Sequence, residues 1–475
     1  MKQQNLWIII PLLVLFFLIL PIYLFYPRLT KLQHDPWSFL PQHTQHTDHS
    51  QLMPGPYADG SAVTKECLQC HEETAIEVMQ NAHWTWESEP VELPERQEAV
   101  VLGKKNAINN FCIGVRSNWP PCTACHVGYG WVDETFDFED PSAIDCIVCH
   151  DQSGQYIKTK GGYPAEGVDL ALAAQSVGIP TRENCGGCHF RGGGGNAVKH
   201  GDLDESLYYP SERIDIHMGK HEFICTDCHR TREHNIMGRS ISVSSDDRNQ
   251  IYCIDCHAMN VHQDERLNLH NLSVACQACH IPEAAVKEAT KMHWDWSAAG
   301  QDLPEDPHDY IKIKGRFVYE RNIKPDYFWY NGNTKPYLFG DTIDPDEVTM
   351  LNEPRGSIDD PNARIWPFKI HLAEQIYDKT YNYLLQPKTW GKGGYWTEFD
   401  WDKAARLGSK AVGLPYSGSF GFTSTAMFWP ITHMVAPTSK TLQCNDCHGE
   451  EGEQRLNWAA LGYEGDPMLY GGRKN

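Results

Sequence analysis

The sequence predicts a mainly α-helical fold with extensive irregular loops. Apolar residues recur with helical spacing at 95–111, 169–177, 282–293, 372–385 and 400–410. Strand signals are few, and Thr181 is placed to cap a helix that leads into Cys185. The third observation is a cysteine–histidine motif that recurs at irregular intervals, which excludes a solenoid of equal repeats.

Sixteen of the seventeen cysteines belong to eight copies of Cys-x-x-Cys-His. The copies are Cys67/Cys70/His71, Cys122/Cys125/His126, Cys146/Cys149/His150, Cys185/Cys188/His189, Cys225/Cys228/His229, Cys253/Cys256/His257, Cys276/Cys279/His280 and Cys444/Cys447/His448. This motif is the attachment signature of c-type haem. Zinc knuckles, the alternative, pair two such motifs and need no histidine directly after them. We therefore expect eight covalently attached haem c groups, packed together with the chain wrapped around them.

The N-terminus carries an uncharged apolar run at 6–26 that is long enough to span a bilayer as a helix. Trp7, Tyr23 and Tyr26 are placed as interfacial anchors. No Ala-x-Ala-like cleavage site follows, so the sequence favours an uncleaved signal-anchor over a cleaved signal peptide. Because haem c is attached outside the cytoplasm in bacteria, we expect a single-pass protein of the inner (cytoplasmic) membrane whose body lies in the periplasm.

The predicted organisation has four parts. They are a transmembrane signal-anchor at 1–27, a flexible periplasmic tether at 28–60, a haem-rich region with haems 1–7 at 61–280, and an aromatic-rich helical region with haem 8 at 281–475. The tether is polar and punctuated by proline, so it cannot bury a core. Its histidines are interpreted as solvated rather than metal-binding, and they are His34, His43, His46 and His49.

The formal net charge of −21 excludes a nucleic-acid partner on electrostatic grounds. It leaves anionic substrates open, because basic residues near a pocket can outweigh the overall field. The expected partners are the inner membrane through the N-terminal helix, quinol-side or periplasmic electron-donor proteins, and a small anionic or nitrogen-oxide substrate.

The sequence contains more histidines than the eight proximal positions require. An electron-transfer haem requires a second strong axial ligand, normally histidine, whereas a catalytic haem keeps that position open or weakly held. Beyond the motifs and the tether, the histidines are His83, His200, His217, His221, His234, His262, His270, His293, His308, His371 and His433. They suffice for bis-histidine ligation throughout, so their number does not identify a catalytic haem.

Two residues outside the motifs favour a catalytic role for one of the haems over electron transfer alone. Cys112 is the one cysteine that no motif uses, and it is either a small buried hydrophobe or a functional thiol. Lys199 follows four consecutive glycines, which allow the backbone to approach a large flat group. This lysine is either a surface charge or a desolvated amine that binds iron.

Several long segments resemble the octahaem tetrathionate reductase family of multihaem c-type cytochromes. They are GGGGNAVKHGDLD at 192–204, FCIG at 111–114 with CTACHVGYGW at 122–131, KPDYFWYNG at 324–332, WPFKIH at 366–371 and WPITHMVAPTSKTLQCNDCH at 429–448. The resemblance covers essentially the whole body but neither the anchor nor the tether. Its motifs are far more specific than the haem motifs alone.

The resemblance implies seven bis-histidine haems and an active site at the second haem. Lys199 is then the distal ligand, His126 the proximal ligand, Cys112 the pocket sulfur and Asn109 a pocket residue. Asn196 stands where the family has a carboxylate, which puts a proton-donor role there in doubt. The distal histidines selected on this basis are His83, His217, His234, His262, His270, His371 and His433, with His200 in reserve.

The resulting hypothesis is a membrane-anchored reductase that acts on tetrathionate, nitrite or hydroxylamine. In the tetrathionate reaction, a thiolate at Cys112 attacks the central S–S bond by thiol–disulfide exchange. The alternative hypothesis is a membrane-tethered electron-transfer cytochrome with no substrate of its own. The axial ligation of the second haem distinguishes the two hypotheses, and the sequence alone does not establish it.

Overall fold

The computed structural model describes residues 14–17, 20, 36–111, 113–246, 248–449 and 455–473. The chain divides into two compact units, one formed by 1–40 with 252–268 and the other by 41–251 with 269–475. The sixth motif, Cys253/Cys256/His257, belongs to the first unit.

In these described parts, no helix is long and apolar enough to cross a membrane. The predicted anchor at 1–27 lies outside the described residues except for 14–17 and 20. The transmembrane helix of the predicted fold class therefore finds no support.

The helices are short, and many of them carry a haem motif. The α-helices of the described residues are α1 Gly60–Cys67, α2 Thr74–Met79, α3 Ala82–Thr85, α4 Trp119–Cys122, α5 Ile147–His150, α6 Leu170–Gln175, α7 Arg182–His189, α8 Ile216–Lys220, α9 Cys225–Cys228, α10 Glu265–His270, α11 Cys276–His280, α12 Tyr395–Glu398, α13 Trp401–Val412, α14 Cys444–Cys447 and α15 Pro467–Tyr470. The 3-10 helices are Pro36–Phe39, Thr123–Cys125, Pro141–Ala143, Lys160–Gly162, Glu205–Leu207, Cys253–Asp255 and Thr438–Lys440.

The strands lie almost entirely in the second half of the chain. They are β1 Thr231–Arg232, β2 Asn235–Ile236, β3 Thr290–Asp295, β4 Tyr310–Ile311, β5 Gly315–Glu320, β6 Asp326–Tyr330, β7 Thr334–Pro336, β8 Thr349–Met350, β9 Asn352–Pro354, β10 Arg364–Asp378, β11 Tyr383–Leu384 and β12 Phe420–Pro430. Eight of them form a mixed sheet in the order β4-β5-β3-β10-β12-β8, with β6 and β11 also paired to β10. The long antiparallel pair runs from Phe368 opposite Pro430 to Asp378 opposite Phe420.

The prediction of a mainly α fold is wrong, because helix accounts for only about 25% of the structure and strand for 16%. Helices are confirmed at α6 and α13, and Thr181 does precede α7, where its backbone N–H donates to Asn184 Oδ1 at 2.8 Å. No helix forms at 95–111. The other two predicted helices are replaced by β3, which covers part of 282–293, and by the C-terminal half of β10.

The buried face of β10 explains the largest of these errors. Lys369, His371, Ala373 and Gln375 alternate along the strand and are each at most 1% exposed, whereas Leu372 on the opposite face is 43% exposed. Since successive residues of a strand point to opposite faces, the polar side chains here occupy the buried side. The usual alternation of apolar-in and polar-out is therefore reversed, and hydropathy does not reveal the strand.

A hydrophobic cluster joins this sheet to two loops of the haem-rich region. It contains Trp294, Trp296 and Met427 from the sheet, Phe111 and Ile113 from one loop, and Val198 from the glycine-rich loop. Because apolar burial is the main stabilising contribution in such clusters, this contact fixes both loops on the sheet. Within the predicted tether, Met53 is also buried and packs against Val63 and Ile147.

Candidate active site and haem ligands

The cysteines of all eight motifs are thiols outside any disulfide in the described chain, as haem attachment requires. Neighbouring motifs approach one another closely. Cys67 is hydrogen-bonded to Cys146, and the same contact raises the pKa of Cys146. Cys125 is hydrogen-bonded in the same way to Cys188, and Cys185 to Cys225. The first motif therefore lies beside the third, the second beside the fourth, and the fourth beside the fifth.

The first and sixth motifs differ from the other motifs in their local backbone structure. Their second cysteine and their histidine lie outside any helix. Cys70 is exposed, and its backbone N–H donates to the Cys67 carbonyl at 3.2 Å. Cys256 and His257 are half-buried, and their N–H groups donate to the Cys253 carbonyl at 3.3 and 2.9 Å.

Each of these two motifs is thus closed by a turn of its own backbone, because its helix ends before the second cysteine. Exposure of a motif cysteine is not confined to these two motifs, since Cys228 and Cys444 are exposed as well as Cys70 and Cys253. The individual assignments of Cys70 and Cys256 to haem attachment, and of His257 as a proximal iron ligand, stay predictions from the motif.

Three proximal histidines are oriented for iron by their Nδ1 atoms. His150 Nδ1 lies 2.9 Å from the Gly178 carbonyl, His229 Nδ1 lies 2.9 Å from the Met237 carbonyl, and His448 Nδ1 lies 2.6 Å from Asp466 Oδ1. An acceptor at Nδ1 fixes the proton there and leaves Nε2 as the metal-binding atom. The residue types, thiols and ring orientations at these motifs fit a covalently bound haem.

Four histidine pairs have the separation expected of two axial ligands on one iron. Metal–nitrogen bonds of about 2 Å on opposite faces place the two ring centres about 6 Å apart. The observed separations are 6.3 Å for His49 and His71, 5.9 Å for His83 and His189, 6.2 Å for His229 and His433, and 6.2 Å for His270 and His448. The two histidines of each pair are mostly remote in sequence, and their ligation of one iron stays a prediction.

His49 is the residue that sequence reasoning missed, because it lies in the segment interpreted as a solvated spacer. Its Nδ1 is hydrogen-bonded to the Thr47 carbonyl at 2.8 Å, the same arrangement as at the proximal histidines. His46 lies next to it, with ring centres 5.2 Å apart. The sequence signal that could have indicated a ligand here is the presence of four histidines in one short polar stretch.

The other histidines that were predicted as distal ligands lie next to carboxylate or amide side chains. His234 Nδ1 lies 2.7 Å from Glu77 Oε2, and its charge adds to the burial that lowers the pKa of His150. His371 Nδ1 lies 2.9 Å from Asn110 Oδ1. His217 lies 4.0 Å from Asp215, and the His262 backbone N–H donates to Asn268. The roles of His217, His234, His262 and His371 stay predictions, as does that of the buried His200.

His126, the proximal residue of the second motif, is fully enclosed by aromatic rings. The ring centres lie 4.7–6.2 Å from that of the imidazole, and they belong to Trp84, Trp86, Trp131, Phe136 and Phe138. Burial lowers the pKa of His126 to about 3, which keeps the imidazole in its neutral, metal-binding form. Here Nε2 donates to the Trp84 carbonyl at 2.8 Å, so an iron bond requires Nδ1 or a rotation of this ring.

Lys199 lies beside the second motif. The pKa of Cys125 is lowered to about 6, mainly by its hydrogen bond with Cys188. Neighbouring ammonium groups act in the same direction, and they belong to Lys104, Lys158 and Lys199. The Lys199 Nζ is 4.7 Å from the ring centre of Trp429. Lys199 is therefore among the charged groups that act on the second motif, and its role as distal ligand stays a prediction.

The glycines before Lys199 make room for its side chain. A Cβ on Gly192 would lie 3.3 Å from Lys199 Cδ, and one on Gly193 would lie 3.6 Å from Lys199 Cβ. Gly193 also has a φ of +80°, which L side chains rarely adopt. Asn196, the position where the family has a carboxylate, accepts a hydrogen bond from the Glu205 backbone at 2.9 Å. It supports the loop in this way.

Cys112 lies outside the described residues, and hydrogen bonds link its neighbours Asn109, Phe111 and Ile113. The Asn109 backbone N–H donates to the Ile113 carbonyl at 3.0 Å, and Asn109 Oδ1 accepts from the Phe111 N–H at 3.0 Å. Ile113 is fully buried and has a φ of +73°, a strained conformation for a β-branched residue. Such strain persists where the surroundings enforce it, and it is concentrated at functional sites.

Strand β10 supports both loops of this candidate site. On the side of Cys112, Asn110 Nδ2 donates to the His371 carbonyl at 2.8 Å and Gln375 Nε2 donates to the Asn109 carbonyl at 3.0 Å. On the side of Lys199, Lys369 contacts the glycine-rich loop, and burial lowers its pKa to about 7. Sequence analysis did not identify Lys369, although it lies in the WPFKIH segment.

A second buried ammonium group lies nearby on β3. Lys291 is 3% exposed, and its Nζ lies 3.6 Å from the ring centre of Trp294 and 3.5 Å from that of Phe317. Its charge, after burial and that of Lys369, contributes to a pKa of His371 well below the usual value. The candidate site is therefore locally basic within an acidic protein.

Three comparisons with known proteins found similarity to this chain. Residues 291–451 match the family model described as bacterial cytochrome c. The crystal structure of the octahaem cytochrome c from Shewanella oneidensis superposes with a TM-score of 0.84 and 49% identity, over 89% of this chain and 98% of that one. A protein of Archaeoglobus fulgidus with no described function is 23% identical over 249 residues, 42% of this chain and 83% of its own length.

Proposed function

The chain belongs to the family of octahaem c-type cytochromes and binds eight covalent c-type haems, and from this premise we propose that it is a reductase with one substrate-reducing haem. The observation that carries the proposal is the position of Lys199 beside the second haem motif, on a loop that rests on the same strand as the turn around Cys112. The family resemblance to octahaem tetrathionate reductases is consistent with this function.

Tetrathionate is the substrate that the proposed residues suit best. The Cys112 thiolate attacks the central S–S bond, which releases thiosulfate and leaves a Cys–S–S–SO3⁻ adduct. Two electrons, which the bound haems supply one at a time, then cleave the adduct to thiosulfate and the free thiolate. The buried Lys291 and the nearby Lys104 and Lys199 favour the anionic substrate and lower the pKa of a thiol beside them.

Nitrite and hydroxylamine are the competing substrates, because they need an open iron position rather than a thiol. The deciding experiment measures turnover of all three compounds by the purified haem-loaded protein with a reduced viologen as electron donor. Replacement C112S is expected to abolish tetrathionate reduction and to spare nitrite reduction. Full retention of tetrathionate turnover by C112S would contradict the thiol step.

A matched pair of lysine variants tests the role of Lys199. Replacement K199M removes the amine and is expected to change the spectrum of one haem, because Lys199 is proposed as its distal ligand. Lys312 serves as the control, since it is a partly exposed lysine paired with Asp302. Replacement K312M is expected to leave both spectrum and turnover unchanged.

The second candidate function is electron transfer without a substrate, and the four histidine pairs near 6 Å favour it. Electron paramagnetic resonance distinguishes the two functions. Eight low-spin bis-histidine haems that bind neither nitrite nor cyanide would support the pure electron carrier. One haem with a different axial ligand would support the reductase.

The proposed setting is the extracytoplasmic side of the membrane, since c-type haem is attached there. The proposed partners are a quinol-side or periplasmic electron-donor protein and a small anionic or nitrogen-oxide substrate. The large negative charge of the chain disfavours nucleic acid as a partner.

A further inference from the structure

Four consecutive backbone carbonyls around Lys199 are held by two side chains of the sheet. Lys369 Nζ on β10 donates to the carbonyls of Val198 at 3.1 Å and of Lys199 at 3.2 Å. Thr290 Oγ1 at the start of β3 lies 2.7 Å from the Ala197 carbonyl and 3.1 Å from the His200 carbonyl. Every peptide oxygen from 197 to 200 thus faces one of these two groups.

The two side chains are also bonded to each other. Lys369 Nζ lies 2.5 Å from Thr290 Oγ1, so the hydroxyl accepts from the amine while it donates to the loop. Thr290 is 0% exposed and Lys369 is 1% exposed. In such a dry environment hydrogen bonds are strengthened and an unpaired group is costly. The loop is therefore held from below by a connected network rather than by single contacts.

The backbone at this point needs such support. Ala197 has a φ of +56°, a conformation that residues with a Cβ rarely adopt. The preceding glycines offer little resistance to other conformations, because glycine populates both signs of φ about equally. The two anchors therefore add to the burial of Val198 and the hydrogen bond of Asn196 in fixing the chain from 192 to 200.

We propose that Lys369 and Thr290 are positioning residues that fix Lys199 at the second haem. The inference rests on the proposed function, since it concerns the lysine assigned there as the distal ligand. Lys369 and Thr290 are not proposed to touch the reacting atoms. Both act through the peptide groups of 197–200, and the strand that carries Lys369 also holds the Asn109 carbonyl through Gln375. One strand thereby anchors both the Lys199 loop and Asn109.

The test compares two replacements of Thr290 in the haem-loaded protein. T290V keeps the shape but removes the hydroxyl, whereas T290S keeps the hydroxyl. Thr423 is the matched control, because it is a threonine of the same sheet, 2% exposed, whose hydroxyl donates to the Pro345 carbonyl at 3.0 Å. The readouts are the electron paramagnetic resonance signal of the lysine-ligated haem, amide hydrogen exchange at 192–204, and turnover.

We expect T290V to shift the signal of that one haem, to speed exchange in the loop, and to lower turnover about 100-fold, as misplacement by about 1 Å can do. T290S restores the wild-type behaviour, and T423V retains it. K369M produces the same changes as T290V, with the other seven haem signals unaltered. These outcomes together support the inference.

Other outcomes overturn it and identify which step failed. If T290V keeps the wild-type signal and turnover while K199M changes both, Lys199 is a ligand but the two residues do not position it. If T290V and T423V lose signal and turnover equally, Thr290 is merely structural. If K199M itself leaves the signal and turnover unchanged, the proposed function fails, and the inference fails with it.

Discussion

In the haem-rich region at 61–280, the described helices have at most eight residues, whereas the sheet region at 281–475 contains strands of 15 and 11 residues. The short helices are separated by loops, and the apolar side chains of this region form several small buried clusters, such as Val63 with Ile147 and Trp84 with Ile144. The sheet region instead buries Trp294, Trp296, Phe317 and Trp429 in one large cluster. The core of the first region is thus divided among its haem motifs, whereas that of the second is centred on one sheet.

This difference bears on function. Electron-transfer haems need ligands at the right distance, which loops wrapped on a rigid cofactor can supply. A substrate pocket needs several side chains held in fixed relative positions, which a sheet supplies more accurately than loops do. The candidate pocket accordingly combines a haem motif of the first region with a platform from the second.

The largest expected effect comes from withholding haem. Protein expressed without haem attachment is expected to lose its structure in 61–280 but to retain much of the sheet, because seven of the eight haem motifs lie in the first region and only the eighth lies in the second. Limited proteolysis of apo- and haem-loaded protein, read by mass spectrometry, measures this. Equal cleavage of both regions in the apo-protein would remove the distinction.

The next largest expected effect comes from a replacement that creates a cavity in the sheet. Phe428 is 4% exposed and packs edge-on against Phe328 and Phe368. Replacement F428A is expected to lower the free energy of unfolding by about 3–5 kcal/mol, with the haem absorption spectrum unchanged. Thermal unfolding followed by circular dichroism measures the loss, and F428L is the milder control. A changed haem spectrum in F428A would contradict the separation of the two regions.

Loss of a single axial ligand has a local effect. Replacement H49A is expected to convert one haem of eight to a high-spin form that binds cyanide, because His49 faces His71 at 6.3 Å. Replacement H46A, in the same segment, is expected to leave all haems low-spin. If H46A gives the high-spin haem and H49A does not, the ligand assignment at the first haem is reversed.

The smallest effect concerns one helix cap in each region. Asp169 accepts from the Ala171 and Leu172 N–H groups, and Asp400 accepts from the Lys403 N–H, all at 3.0 Å. Replacement of either by alanine is expected to cost about 1 kcal/mol. Hydrogen exchange in the capped helix reports the change, and the asparagine variants, which keep a capping oxygen, should lose far less. Equal losses for alanine and asparagine would exclude capping as the cause.

Sequence patterns identified the helices at 170–175 and 401–412 because their caps and apolar spacing are local features. The same patterns failed at β10, where Lys369, His371 and Gln375 face the interior. That reversal occurs where the strand supports the candidate pocket, and local rules are most often violated at functional sites. His49 was missed for a related reason, since its polar neighbours conceal its approach to His71.

By itself the sequence determined the cofactor and its number, and it predicts the proximal ligands, because the attachment chemistry requires two thiols and a histidine within five consecutive residues. It also singled out Lys199 and Cys112 as residues that the motifs do not explain. It did not reveal how enclosed each motif is, since Cys70 is exposed whereas His126 is fully buried.

Only the tertiary structure decided the pairing of remote histidines and the anchoring of the Lys199 loop on Thr290 and Lys369. These contacts join residues 90 or more positions apart, and no local pattern encodes such a distance.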